Sequence, residues 1–379
     1  MVNYEYPPLG GGGGVFNKQL AEELSKENHV TIITSQFRDQ SLQEVCNNVE
    51  IIRVPVLFRT DQNAATIPSM LSFFPTSLWA GYKLLKERTF DIIHSMFAIP
   101  SAPSGLALAK KFGTPHVLSI LGGDIYDPSK KLSPHKTPLL HHSVKKIIDE
   151  SDMVVSLSSD IKKRALQYYK VSRPIHIIHL GIPKPVFKKK SRNHFNFSQN
   201  DFLLITVGRL ISRKGLPDLI NIIYSLNRPN LKLIVVGDGP QRPTLEALAK
   251  SMGVADRLFF FGHVTDEEKF QLLEISDVYV SSSRHEGFGI VFLEAMASGL
   301  PIACYDNGGQ ADFLKNNETG FLIPVGNKDL LANRILDLYR NVRLKDEMSH
   351  FNRKYITQFY IQACCKSYQL LYDSLIHKS

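Results

Sequence analysis

Short apolar runs of strand length alternate with segments of helical spacing along this chain, in two series separated by a Pro-, Lys-, Asn- and Ser-rich stretch at 181–200. In the first series the spacing predicts strands at 30–34, 49–54, 90–94, 115–121, 153–156 and 175–179, with helices between them. A strand at 2–6 ends at Pro7-Pro8, and its clipped start questions whether residue 1 is the native beginning. The second series predicts strands at 202–207, 231–236, 258–261, 278–280, 302–305 and 321–323. Such alternation implies an α/β fold with a doubly wound parallel sheet in each half. A chain of 379 residues is long enough for two domains, each with its own core. The expected division is 1–182 and 183–354, two sheets facing a central cleft, with a tail helix over 355–379 crossing back onto the first domain.

The most informative stretch runs from Glu286 to Pro301. It follows a predicted strand, and Gly287 and Gly289 open a segment whose apolar residues recur almost all round a helix, so that helix should be buried. Gly299 and Pro301 stop it. The N–H groups at its start form a seat for an anionic or hydroxyl-rich ligand. Glu294 is anomalous, because a carboxylate among Val, Phe, Leu, Ala and Met is costly unless partnered. Helical side chains lean toward the N-terminus, so its oxygens can reach back to the seat, with Glu286 at the other edge. The structural alternative places Glu286 in a solvated loop and pairs Glu294 with a core Arg.

Other segments fall on the same kind of edge. Gly10 to Gly14, five glycines in a row, sit between a strand and a helix, a phosphate-cradle geometry that a mobile surface loop would also explain. His94 and Gly122-Gly123-Asp124 lie at predicted strand ends, where doubly wound sheets bind ligands. A lone His94 there can equally be a satisfied structural histidine. In the second half, Arg209 and Lys214 occupy the turn after the first strand, between Gly208 and Gly215. Two fixed cations beside a helix start can neutralise a diphosphate without a metal. Together with Glu294 for a ribose diol, and Glu286 with the amides of 287–289 for sugar hydroxyls, they would serve a sugar nucleotide.

Composition bounds the rest. Hydrophobic residues make up 43% and charged ones 21%, as in a folded soluble protein, and 45 Lys+Arg against 36 Asp+Glu give +9, which favours acidic partners. The basic cluster Lys184, Lys188, Lys189, Lys190 and Arg192 lies in the connector and reads as a solvated linker, so no nucleic acid is expected. Four cysteines, Cys46, Cys304, Cys364 and Cys365, lack metal-ligand spacing, and no apolar run is long enough to span a membrane. A cytoplasmic location is expected, with a peripheral place at the inner face of the membrane as its variant. For that variant, the 73–79 segment Phe-Phe-Pro-Thr-Ser-Leu-Trp, flanked by Lys83, Lys86 and Arg88, could rest on a bilayer and meet a lipid-linked acceptor, or it could pack into the core.

With these motifs the chain resembles the retaining glycosyltransferases of the GT-B fold, family four, over nearly its whole length. The carrying motifs are Gly208-Arg209-Leu210 with Lys214-Gly215, Gly237-Asp238-Gly239-Pro240, Phe261-Gly262-His263-Val264, and Glu286 through Glu294 with seven residues between the acids. The resemblance implies two Rossmann-like domains. It implies that Arg209 and Lys214 hold the donor diphosphate, Glu294 the ribose, and Glu286 with the amides of Gly287, Phe288 and Gly289 the transferred sugar. Ile290 and Val291 would offer phosphate-facing amides, and the main chain around His263 would meet the base. Gly13 and Gly14 would close over the phosphates, His94 would sit beside the reacting sugar, and Asp124 would contact sugar or acceptor. The donor would be a UDP- or GDP-sugar acting as co-substrate, with no metal and no further cofactor. Pro183 departs from the pattern, since an acidic residue is common there. The rival reading is a nucleotide-sugar epimerase on the same two-domain frame.

Overall fold

The computed structural model describes residues 1–62, 65–127, 132–186 and 190–377. The chain divides into two compact units, Met1–Pro183 with Phe359–Ser379, and Lys184–Gln358.

The first unit holds eight strands among the described residues: β1 (Val2–Asn3), β2 (Val30–Ser35), β3 (Gln43–Cys46), β4 (Val49–Val54), β5 (Ile93–Met96), β6 (His116–Ile120), β7 (Met153–Ser156) and β8 (Ile175–Ile177). Their order across the sheet is β3-β4-β2-β1-β5-β6-β7-β8. All neighbours are parallel except β3 and β4, an antiparallel edge pair that the spacing did not predict, since β3 is exposed along its length and carries no apolar period. The crossover helices are α1 (Gly12–Leu24), α2 (Ile67–Glu87), α3 (Ala102–Phe112), α4 (Pro138–Glu150) and α5 (Ser159–Tyr169). Val2, Tyr4, Ile33, Val54, Phe73, Ile93 and Leu108 form one core cluster of this unit.

Two boundaries differ from the sequence expectation. The glycine run is not all loop, because α1 begins at Gly12 and takes three glycines into its first turn. The predicted strand at 90–94 is shifted, and β5 runs to Met96, which puts His94 inside the strand and not at its end.

Helix α2 buries one face of its apolar segment and exposes the other. Thr66 and Ser69 cap its start reciprocally, with side chain to N–H distances of 3.2 and 3.1 Å. Phe73 is fully buried, while Leu71 and Trp79 on the outer face are each 69% exposed. Leu57 and Phe58 are also exposed, and the Leu57 N–H donates to the Ser72 hydroxyl at 2.9 Å, which sets that pair beside the first half of α2.

The second unit carries β9 (Phe202–Val207), β10 (Leu231–Val236), β11 (Leu258–Gly262), β12 (Val278–Ser281), β13 (Ile302–Tyr305) and β14 (Gly320–Ile323), in the all-parallel order β11-β10-β9-β12-β13-β14. Its helices are α6 (Leu216–Leu226), α7 (Arg242–Ser251), α8 (Asp266–Ile275), α9 (Ile290–Ala297), α10 (Lys328–Arg340) and α11 (Val342–Tyr355). Lys188 and Lys189 of the basic connector lie outside the described residues. Arg192 is structural, since its guanidinium binds Asp277 at 2.8 Å and the carbonyls of Ile275 and Asp201 at 3.0 and 2.6 Å.

The tail helix, α12 (Ile361–Ile376), starts later than the spacing suggested. Between it and α11 the chain crosses to the first unit, where Ile182 donates to the Phe359 carbonyl (3.0 Å) and accepts from the Ile361 N–H (2.8 Å). Tyr368 and Tyr372 of α12 are buried there.

Candidate active site

In the second unit the chain leaves β9 toward β10 and β11 on one side, then returns to β12, β13 and β14 on the other. The order therefore reverses between β9 and β12, and ligands bind outside the carboxyl ends of strands at such a switch point. The segments leaving these two strands are 208–215 and 282–290. They are tied together: the Ser282 hydroxyl donates to the Gly215 carbonyl at 2.9 Å, and the Arg284 N–H to the Arg213 carbonyl at 2.9 Å. Gly239 comes alongside from the loop after β10, and the Leu210 N–H donates to the Asp238 carbonyl at 2.9 Å.

Lys214 and Glu286 meet here. The Lys214 ammonium donates to Glu286 Oε1, and Arg213 Nη1 lies 3.6 Å from Glu286 Oε2. Arg213 also donates to the His285 carbonyl. Burial pushes the Glu286 carboxyl up, but the charges of Lys214 and Arg213 outweigh it and hold the group below its ordinary range. The main chain of Glu286 is clamped from the loop after β13, donating to the Asn307 carbonyl at 3.1 Å and accepting from the Gly309 N–H at 2.9 Å. Gly308 has φ +128°, and a Cβ there would fall inside contact distance of the Glu286 carbonyl oxygen, so only glycine fits.

Helix α9 starts at Gly289 with φ +87°, and no side chain caps it. The amides of Ile290 and Val291 belong to its first turn, and Phe288 anchors the approach by packing its ring on Phe313, 4.9 Å between centroids. Glu294 is buried, as are its neighbours from Phe292 to Ala297. Its Oε1 accepts from Lys269 Nζ of α8 at 2.7 Å, while its Oε2 is buried with no hydrogen-bond partner among the described residues. Burial raises the pKa of Tyr279 on β12 well above the ordinary value, and the charges of Glu286 and Glu294 both add to this.

The remaining second-unit residues are placed as follows. Arg209 is exposed and makes no side-chain hydrogen bond or ion pair among the described residues. Gly208 lies under the Lys214 side chain, and His263 is exposed immediately beyond β11.

The first unit has its own reversal, between β1 and β5. Gly13 and Gly14 sit there in the first turn of α1, and no side chain caps that helix start. Gly13 faces the rings and chains of Phe97 and Leu121. Two other expectations need correction. His94 does not offer a ring nitrogen to a sugar: Nδ1 is 2.7 Å from the Tyr372 hydroxyl and Nε2 is 2.8 Å from the Ser119 hydroxyl. Burial drives its pKa well below the ordinary value, so it is a neutral histidine joining the sheet to α12. Asp124 is also turned inward. Its Oδ1 accepts from the N–H groups of Leu121 (3.0 Å) and Gly122 (2.8 Å), and its Oδ2 from Ala98 (2.6 Å). Burial raises its pKa in spite of these donors, and its work is to pin one loop to another.

Residues 10–184 match the family model described as Glycosyltransferase Family 4, and residues 187–355 match Glycosyl transferases group 1. The chain belongs to glycosyltransferase family 4. This glycosyltransferase is 26% identical to N-acetyl-alpha-D-glucosaminyl L-malate synthase of Bacillus anthracis, over 98% of this chain and 96% of that one. Its fold is that of GT-B enzymes. It matches sucrose-phosphate synthase from Thermosynechococcus elongatus with a TM-score of 0.85, covering 100% of this chain and 99% of that one at 22% identity. It matches Anabaena HepE, solved in complex with UDP-glucose, with a TM-score of 0.77, covering 98% and 99% at 18% identity. These relatives give the epimerase reading no support.

Sequence reasoning missed Lys269, Arg213 as a partner of Glu286, and the 307–309 clamp. Lys269 lies in Asp-Glu-Glu-Lys-Phe-Gln, which reads as a solvated helix face, and only its approach to a residue 25 positions away distinguishes it.

Proposed function

We propose that this glycosyltransferase moves a hexose-type sugar from a UDP- or GDP-sugar to an acceptor hydroxyl with retention of anomeric configuration, in glycan, glycolipid or lipopolysaccharide biosynthesis. The observation that carries the reading is the assembly, at one switch point, of Lys214 on Glu286, an uncapped α9 and a buried carboxylate with a free oxygen on Glu294. Arg209, Lys214 and the amides of Ile290 and Val291 would take the diphosphate, Glu294 the ribose, the chain at His263 the base, and Glu286 with 287–289 the sugar. In the transfer, the bond from C1 to the diphosphate oxygen breaks while the acceptor oxygen bonds C1 on the same face. The acceptor proton passes to the departing phosphate oxygen. Glu286 does not serve as nucleophile in this scheme, because a carboxylate recruited for the sugar hydroxyls is poorly placed to attack C1.

The test is thermal stabilisation by a panel of UDP-, GDP- and ADP-sugars. At least one should raise the melting temperature of the wild type, and Arg209→Ala should keep the ligand-free melting temperature while losing that rise. Failure of every nucleotide sugar would remove the reading. Product analysis with donor alone checks against an epimerase, which would release a changed sugar without acceptor.

For the acceptor we infer a lipid-linked molecule. The outer face of α2 presents Leu71 and Trp79, with Leu57 and Phe58 beside it and exposed Lys83 and Lys86 following, an apolar face with a basic margin suited to an anionic bilayer. Trp79 is the sole tryptophan, so its emission should shift to the blue on vesicles containing phosphatidylglycerol but not on phosphatidylcholine alone. Unchanged emission on both would exclude docking through this face.

A further inference from the structure

Glu294 stands in an unusual setting. It is a carboxylate on a helix whose other buried residues, from Phe292 to Ala297, are apolar. One oxygen is held by Lys269 at 2.7 Å and the other is buried without a partner. Lys269 comes from a different helix, α8, and is anchored within it. It reaches Asp266 at 2.8 Å, and that carboxylate is largely in solvent, whereas the Lys269 and Glu294 side chains are only 15% and 12% exposed. A buried ion pair of this kind is weak as a stabilising device, because desolvation offsets much of the attraction. Its geometry nevertheless does two things. It fixes the rotamer of Glu294 by holding Oε1, and it leaves Oε2 as an unspent acceptor.

We propose that Lys269 is a positioning residue for donor recognition, holding Glu294 so that its free oxygen accepts from the ribose hydroxyls of the nucleotide. This rests on the assignment of Glu294 to the ribose. Without the lysine, two things change together. The carboxylate loses the contact that orients it, and it loses the counter-charge that keeps it ionised. Burial pushes the Glu294 carboxyl above its ordinary range and Asp266 pushes the same way, with Lys269 the charge that opposes them. Tyr279, whose ionisation the charge of Glu294 opposes, is held neutral by burial and by the two carboxylates. A protonated Glu294 still has an acceptor oxygen, but a weaker one than a carboxylate.

The experiment uses the full chain and compares UDP or GDP, whichever binds the wild type, with its 2′,3′-dideoxy analogue by calorimetric titration. The wild type should prefer the ribose form by about tenfold, the value of one hydrogen bond to a charged group. In Lys269→Met that preference should fall to near unity at pH 7 while dideoxy binding is unchanged, and part of it should return as the pH is raised and Glu294 ionises. Lys269→Arg should restore it, as the guanidinium supplies the same charge. Equal weakening of both nucleotides in Lys269→Met would mean that the lysine only supports the fold, and an unchanged preference would mean that it plays no part; either overturns the inference. Glu294→Ala separates the two levels of the argument. If Glu294→Ala leaves the ribose preference intact, the ribose assignment itself fails; if it abolishes the preference and Lys269→Met does not, only the role of Lys269 fails.

Discussion

Replacing Lys214 with Ala should act on two separable quantities. The ammonium donates to Glu286, and the side chains are 16% and 8% exposed. Removing one partner of such a pair leaves a buried carboxylate short of its counter-charge, which costs about 3–5 kcal/mol. Arg213 still faces Glu286 Oε2 at 3.6 Å, so the lower end, about 3 kcal/mol, is expected for folding. The same change removes a cation from the departing diphosphate, and loss of one such donor lowers turnover by about a hundredfold, or about 3 kcal/mol. The double variant Lys214→Ala with Glu286→Gln tells these apart, because a neutral amide needs no counter-ion. Stability, read as the urea midpoint at constant slope, should return most of the way toward wild type. Turnover, read as nucleoside diphosphate released from the donor found in the panel, should remain at least a hundredfold down. Recovery of turnover along with stability would refute the reasoning, for it would mean that Lys214 matters only as the counter-ion of Glu286.

Gly308→Ala forces a Cβ against the Glu286 carbonyl at φ +128°, and should cost about 2 kcal/mol or more and abolish stabilisation by nucleotide sugar; an unchanged melting curve would show that the clamp is slack. Asp124→Ala should destabilise the protein by about 2–3 kcal/mol, since two buried N–H groups and a part-buried third lose their acceptor, yet leave nucleotide affinity unchanged; weakened nucleotide binding at equal folding would return Asp124 to the site. Folding stability should fall between pH 6.5 and about 4, because burial holds His116 at about 4 and His94 well below 6.5. In that window the unfolded chain takes up protons that these folded histidines refuse, and His116 alone accounts for about 3 kcal/mol, lost as the pH drops and fully present above pH 6.5. A urea midpoint that stays flat from pH 7 to pH 5 would contradict this.

Much of the second unit was legible in the sequence because its signals are local. The strands near 202, 231, 278 and 302 are apolar runs ended by glycine or polar loops, and Gly289, Gly299 and Pro301 bracket α9 by rules that depend on near neighbours. The anomaly of Glu294 was visible for the same reason, as a charge inside an apolar helix. The glycine run after β1 was less legible, because a packed first turn and a loose loop have the same composition.

The sequence by itself determined two α/β sheets, parallel but for the β3–β4 edge that it did not show, the loops at their carboxyl ends, and which acids and bases those loops carry, since each follows from patterns within a dozen residues. The tertiary structure decided what each group touches. The Tyr372 hydroxyl that takes His94 out of the site lies 278 positions along the chain, and the Lys269 ammonium that holds Glu294 comes from another helix. Partners of a buried polar group are chosen by which surfaces the sheet brings within 3 Å, a property of the packed chain that no local pattern encodes.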